Sequence, residues 1–552
     1  MPLNSATVLI VGSGPTGLVC ALTLAQNGVP VRVIEKLTHF PNGQRGSSIM
    51  PRTLDLYQFL GVLDDVNRVG FMAPPMKQYD EDGGATVFPM FTPRLPSPAV
   101  PEPGVVFLGQ AAACGILRKS LKKFNVDVEL GVRLTSLDQD AAGVTVKVTR
   151  GQGDLAVEET LQAQYVVGAD GARGVVRKLL GLSMLGETLQ SKGFLFGDME
   201  VKGLDNAYWH TWGMPPNDNV TLRPTERKSE NIFSLIATGA TLDRTKAVQD
   251  FQYYRHFVRE VTKDPNLEIG KIEFLADWKA NTRMAEALQK ERVFIAGDAA
   301  HVHSPTGAQG MNSSIMDAVN LGWKLALVSN NLAKPSLLET YAEERLPVIK
   351  DMLYHSTALL KNTLDANRKS TANPWLRHDA LLMLGVHYRW SSLVLDQRHS
   401  GEGEEPTNTY GSDIVSSIRA GDRAPDAPGL VNIRTGDICR LFDVYKVTYH
   451  TVLIFIDQAE DAGPALDIIA HYPVGRIYSV VIYPSSTAGM VDVPGADLAV
   501  HDHDHHACVG YGVPSGAGTK DLVIVRPDGF VGALVSGDVT GVESYFDEMY
   551  EI

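Results

Sequence analysis

Three short stretches carry residue types spaced for chemistry. Gly12-Ser-Gly-Pro-Thr-Gly17 follows the apolar run Thr7–Val11 and opens a small-residue helix, Leu18–Gln26. A tight turn at Gly12, a Cβ-free approach at Gly14 and close helix–strand packing at Gly17 make such a loop, with Pro15 and Thr16, a cradle for a pyrophosphate. A second strand, Val31–Ile34, is closed by Glu35 and Lys36; Glu35 stands 18 residues after Gly17, placed to bind a ribose hydroxyl. The second stretch, Gln164–Arg177 (QYVVGADGARGVVR), turns at Asp170-Gly171 after a buried-type strand. In the third, Arg292–Ala296 runs into Gly297 and Asp298, then a loop with Pro305, Gly307 and Gly310, then a helix opening near Met311 and Asn312. That helix points unpaired N–H groups and a partial positive charge at whatever lies before it. An acceptor for polyol hydroxyls beside a helix N-terminus suits a ribitol chain and a ring that becomes anionic on reduction, which describes a flavin.

Positioning these groups needs a large α/β scaffold. At 552 residues the chain is long enough for about three domains, each with a full core. A formal charge of −14 and the lack of a basic face disfavour nucleic acid or an anionic membrane as partner. Cys20, Cys114, Cys439 and Cys508 lie far apart with no CxxC, so they read as free thiols in a reducing compartment. The run Ala6–Val11 is too short for a signal segment and no apolar stretch is long enough to span a bilayer, so the cytoplasm is the expected location. Asn219 and Asn312 match a glycosylation pattern by chance on this reading. Only one GxGxxG is present, so no second nucleotide domain is expected.

The three motifs, in this order, resemble those of the flavin-dependent aromatic hydroxylases with the p-hydroxybenzoate-hydroxylase fold. The third stretch is similar to that family's GDAAH…P…GQGMN segment, and the second to its DG motif, with Gly174 in place of Ser. Gln44–Asp55 resembles a segment whose first Arg, here Arg45, lies along the cofactor; Gln110 falls where the family has a Gln near the flavin ring. A Glu that usually follows is missing, and Cys114 lies about there. The resemblance implies a Rossmann-type FAD domain with an inserted β-sheet substrate domain and a C-terminal thioredoxin-like domain. The boundaries are 1–184 and 277–398 for the FAD domain, 185–276 for the substrate sheet, 399–415 for a linker and 416–552 for the last domain. The implied reaction consumes NADPH or NADH and O2 and hydroxylates a phenol through a flavin C4a-hydroperoxide, in a homodimer. Decarboxylative hydroxylation of a hydroxybenzoate-type acid is the alternative. A flavin halogenase and a non-catalytic FAD-binding protein are less consistent with the motifs.

Strands at Phe194–Val201, Val220–Pro224 and Asn231–Thr238 are expected in the substrate sheet. Pocket candidates there are Trp209, His210, Trp212, Arg223 and Arg227; no residue can be assigned as catalytic base. Residues 80–104, rich in Pro and Gly, read as a long loop, and the helical pattern after Leu325 continues to about Leu395. Tyr341–Pro347 (YAEERLP) resembles a packing helix of the family. In the last third, RAPD and VRPDGFV resemble the entry and closing hairpin of the thioredoxin-like domain. His501–His506 (HDHDHH) reads as a solvated loop with no metal.

Overall fold

The computed structural model describes residues 5–151, 153, 156–364, 377–399, 405, 407–411, 417–514, 520–537 and 539–551. Its first sheet has eight strands, five of them parallel in the order Val293–Ile295, Val157–Gly168, Ser5–Val11, Val31–Glu35 and Val128–Leu130. Val8, Leu9, Ile10, Val166 and Val167 are buried, as befits strands covered on both faces. Helix Pro15–Gln26 packs against helices Gly310–Ser329 and Gln110–Lys122. The strand expected over Val128–Leu137 is broken at Gly131. Val128–Leu130 joins the parallel sheet, while Val132–Gln139 pairs with Val144–Arg150 in an antiparallel ribbon.

The second sheet has eight strands. Its long central members, Met184–Lys202 and Glu268–Ala285, are flanked on one side by His301–Val302, next to the Gly297 turn. On the other side lie Ile232–Thr238, Asn219–Pro224, Trp209–Trp212, Met76–Tyr79 and Ala85–Phe88. Part of the stretch expected to be a long loop is therefore a strand: Ala85–Phe88 pairs with Met76–Tyr79 at the sheet edge. Alternation divides the sheet's residues. Leu195, Met199, Val220, Leu222, Trp212, Phe233 and Leu235 pack with Tyr254, Phe257 and Val258 of helix Phe251–Thr262. Phe194, Phe196 and Asp198 point to the opposite face, where Phe194 meets Leu360 of helix Glu339–Thr363.

A third sheet holds parallel strands His450–Ile456, Ile477–Pro484 and Leu498–Asp502, with the antiparallel pair Lys520–Val525 and Val531–Ser536 on one side. The helix expected to reach Leu395 ends at Thr363, and Leu395–Asp396 pairs instead with Ala533–Leu534 of this sheet. The expected linker lies largely outside the described residues. His501 and Asp502 end a strand and His506 starts a short helix, so the histidine-rich run is not simply a loop.

Buried charges lock the third sheet to the rest. Glu344 accepts from Arg526 at 2.6 and 2.9 Å, Lys324 at 2.7 Å, Asn320 at 2.6 Å and Ser391 at 2.6 Å. Asp528 accepts from Arg526, Trp323 and Asn320. Burial opposes the charge on Glu344, but Arg526 and Lys324 outweigh it and hold the carboxyl well below its usual range. Arg52, at the start of helix Pro51–Phe59, is not a surface charge: it is buried, donates to the carbonyls of Asp528 and Gly529, and stacks on Phe530. Removing one member of a buried charge network costs about 3–5 kcal/mol. Glu344→Gln is expected to lose that much stability in urea unfolding; a loss below about 1 kcal/mol would contradict the account.

Candidate active site

The dinucleotide loop is assembled at the carboxyl ends of three strands. Gly12 takes φ +111°, its N–H donates to Ile34 O at 2.8 Å, and a Cβ there would lie 2.3 Å from Ala169 O. Only glycine fits. A Cβ at Gly14 would meet nothing within 4 Å, so the loop is open on that side. Helix Pro15–Gln26 has no side-chain cap on its first turn, which leaves its N–H groups for an anion. Glu35 is held against the loop by Ser13, whose N–H and hydroxyl both donate to it at 3.1 Å. Asp170 turns inward and caps the chain at Val175 and Val176. A Cβ at Gly174 would fall 1.9 Å from Asp170 Oδ1, which gives a steric reason for glycine there. Burial raises the Asp170 carboxyl, against those N–H donors and Lys36. The structure thus makes Asp170 a corner brace.

Gly297 nests between the dinucleotide loop and helix Gly310–Ser329. It has φ +61°, and a Cβ would lie 2.4 Å from Thr16 Oγ1 and 2.9 Å from Ser314 Oγ. Asp298 is left on the open side, solvent-accessible yet surrounded by enough protein that desolvation raises its carboxyl, with His301 opposing. The turn is fixed from behind by Asp317. Its Oδ2 accepts from Gly297 N–H at 3.0 Å and lies 2.7 Å from His301 Nε2; its Oδ1 accepts from Arg345 at 2.7 Å. Desolvation disfavours this charge, but Arg345 and His301 pull the carboxyl down to about 2. Pro305 starts a single turn capped by Ser304.

Asn312 departs from the expected role. Its side chain clamps strand Ser48–Ile49, accepting from Met50 N–H and donating to Ser48 O and Ala308 O, each at 2.8 Å. Only its backbone remains for a ligand at the helix N-terminus. Met311 and Gln110 flank Gly46, whose N–H lies 3.4 Å from Gln110 Oε1. Arg45 is exposed in the left-handed region at φ +42°.

The loop before Arg45 reaches into the second sheet through Gln44, a contact that no sequence motif marks. Gln44 N–H donates to Asp198 Oδ2 at 2.7 Å, its amide donates to Glu226 at 2.9 and 3.0 Å, and its Oε1 accepts from Arg223 at 3.3 Å. Gly109 N–H also donates to Glu226, at 3.2 Å. Arg223 lies over Phe107 and Trp209; burial lowers its pKa to about 10 against the pull of Asp198 and Glu226. Burial pushes Asp198 up to about 6, opposed by Gln44, Arg223 and Ser234; Ser234 falls short of a hydrogen bond to Oδ1. A sequence signal for Asp198 did exist: an acid in register with Phe194 and Phe196 on one strand face is a buried polar group.

Two pocket candidates are displaced. His210 sits on the helix-covered face with Trp212; its Nδ1 accepts from Tyr79 hydroxyl at 2.8 Å and its Nε2 donates to Asp205 O at 2.6 Å. Both ring nitrogens are committed to the fold. Arg227 lies in the turn after Asn219–Pro224, where Glu230 and Glu273 each take it bidentately. Of the five candidates, Arg223 and Trp209 lie together on the face of the sheet opposite helix Phe251–Thr262. Elsewhere, ligating atoms of Asp502, His505 and Cys508 lie within 4.8 Å of one another. Both Asp502 oxygens, however, accept backbone N–H groups of Ala507 and Cys508, and burial together with Asp502 keeps the thiol protonated. All four cysteines are free. No described helix is long and apolar enough to cross a membrane.

An open glycine loop, uncapped N–H groups and an accessible carboxylate at a helix N-terminus fit an FAD. Residues 5–356 match the family described as FAD binding domain, and the chain belongs to it. Within it the protein is a flavin-dependent aromatic monooxygenase. A flavin-dependent monooxygenase of Mycobacteroides abscessus is 31% identical, covering 97% of this chain and 98% of its own. Pentachlorophenol 4-monooxygenase of Sphingobium chlorophenolicum is 30% identical, covering 81% and 80%. The crystal structure of aklavinone-11 hydroxylase with FAD and aklavinone aligns at a TM-score of 0.77 and 25% identity over 99% of both chains.

Two outcomes follow from this geometry. Asp298→Ala is expected to weaken FAD binding at least tenfold in a flavin-fluorescence titration, while circular dichroism stays unchanged; wild-type affinity would refute the assignment. Because Asp317 has a depressed pKa in the folded state, its contribution is complete above about pH 4 and lost as pH falls toward 2. That loss is roughly 2 kcal/mol, and Asp317→Asn should remove it from the acid limb of the unfolding curve.

Proposed function

We propose that the protein hydroxylates a phenolic ring, with NADPH or NADH as reductant and O2 as oxygen source. The observation that carries this reading is the flavin-side face of the second sheet. Phe194, Phe196 and Trp278 pack at centroid separations of 6.0–6.3 Å, with Ile236 beside them, and form an aromatic wall. At the Gln44 end of that face stand Arg223 and Asp198. Such a face suits a flat ring bearing a polar substituent.

FAD, when bound, supplies hydride acceptance and oxygen activation. The chain's own residues do the rest. Asp298 would accept from the ribitol and Glu35 from the ribose, and the first turn of helix Gly310–Ser329 would offer N–H groups and positive potential to the flavin ring. The aromatic wall excludes water and orients the substrate ring. Arg223 orients the substrate's oxygen, and Gln44 ties Arg223 and Asp198 to the loop that precedes Arg45. The C-terminal sheet, with its parallel strands and closing antiparallel pair, is read as thioredoxin-like without thiol chemistry.

The test is NADPH and NADH oxidation by the FAD-loaded protein against a panel of phenols and hydroxybenzoates, with products read by mass. Stimulated turnover with a gain of one oxygen is expected, and loss of CO2 as well would identify the decarboxylative variant. Hydrogen peroxide as sole product with every compound would contradict the reading. Arg223→Met is expected to lower kcat/KM at least tenfold and to divert more of the consumed nicotinamide into hydrogen peroxide.

A further inference from the structure

Most arginines in this acidic chain are paired; Arg32, Arg150, Arg227 and Arg389 each face carboxylates. Arg45, on the loop after Glu35, and Arg118, on the helix that opens at Gln110, are not. Among the described residues, neither Arg45 nor Arg118 makes a hydrogen bond or ion pair. Arg118 lies on helix Gln110–Lys122, and Gln110, Cys114 and Arg118 follow one another at four-residue spacing along one face. Eight residues at about 1.5 Å each place Arg118 ~12 Å along the helix from Gln110. Its guanidinium is held face-on against Phe40, 3.8 Å from the ring centroid, and Phe40 follows Glu35 by five residues. Arg118 thus packs on the loop that follows Glu35, two helical turns beyond Gln110. Gly46, next to Arg45, has its N–H 3.4 Å from Gln110 Oε1, so the Phe40–Gly46 loop meets this helix at both Gln110 and Arg118. Burial lowers the pKa of Arg118, and only the Cys114 thiol, not a carboxylate, opposes the shift.

We propose that Arg45 and Arg118 form a guanidinium clamp for the phosphates of a dinucleotide, facing the Gly12–Gly17 loop across the cleft, with Phe40 as the platform that fixes Arg118. A planar guanidinium matches phosphate oxygens bidentately, and two unneutralised ones on a chain of net charge −14 attract an anion to that edge. Arg45 was already expected along the cofactor; Arg118 and its platform are the addition. The phosphates belong either to FAD or to the nicotinamide dinucleotide. The proposal rests on FAD-family membership and not on the phenolic reading.

The experiment compares wild type, Arg118→Gln, Arg118→Lys and Arg45→Gln, with Arg68→Gln as a matched loss of an exposed charge paired to Asp65. FAD affinity of the apoproteins is read by flavin fluorescence at low and high salt. NADPH affinity of the FAD-saturated proteins is read by NADPH fluorescence. The expected result is at least tenfold weaker FAD binding in both glutamine variants, a flatter salt dependence, partial recovery in Arg118→Lys and no change in Arg68→Gln. Unchanged FAD binding with at least tenfold weaker NADPH binding would assign the clamp to the nicotinamide dinucleotide. Arg118→Gln within twofold of wild type for both ligands would overturn it. Neither readout depends on which substrate is hydroxylated.

Discussion

One buried carboxylate holds the cofactor end of this protein in place. Asp317 lies seven residues into helix Gly310–Ser329 and receives the N–H of Gly297, the ring of His301 and the guanidinium of Arg345. An ionised acid with no solvent exposure is tolerable only because Arg345 neutralises it and every oxygen is hydrogen-bonded. Arg345 also donates to Ser313 and to Tyr388, so the same charge pair spans the first turns of the helix and the segment beyond it. Tyr341, one turn earlier, donates to Ile295 O in the strand that delivers the Gly297 turn. The accessible carboxylate of Asp298, next to Gly297, is therefore positioned by one that never touches it.

The second dependency is between sheets. Gln44 reads Asp198, Glu226 and Arg223 at once, and its loop leads directly to Arg45, Gly46 and Gln110. The second sheet and the loop that carries Arg45 thus share a single side chain. Alternation decides which residues take part. Arg223 lies on the face with Phe107 and Trp209, while His210 and Trp212 pack beneath helix Phe251–Thr262.

Much of this was legible in the sequence, and the reason is backbone geometry. Gly12 and Gly297 sit where a Cβ would strike Ala169 O or Thr16 Oγ1, so only glycine serves and the pattern is fixed. Glu344 and Arg345 in YAEERLP, and Arg526 and Asp528 in VRPDGFV, could be recognised as structural, but not as members of one buried network joining the two segments. Side-chain direction was less legible. His210 looked like a pocket residue until the strand register placed it on the covered face, and nothing in the sequence tied Arg52 to Asp528 and Gly529, to whose carbonyls it donates. Asn312 stands inside the flavin motif yet spends its side chain on Ser48 and Met50. Strand ends moved wherever a non-local partner existed, as when Leu395–Asp396 was claimed by Ala533–Leu534.

The central claim is that this chain places an oxygen atom from O2 on an aromatic ring. Its most direct test is turnover of an accepted phenol by the FAD-loaded protein under isotopically labelled oxygen gas, with the product analysed by mass. The account predicts one labelled oxygen atom in each product molecule. A product whose new oxygen comes from water, or one that gains no oxygen while nicotinamide is consumed, would contradict it.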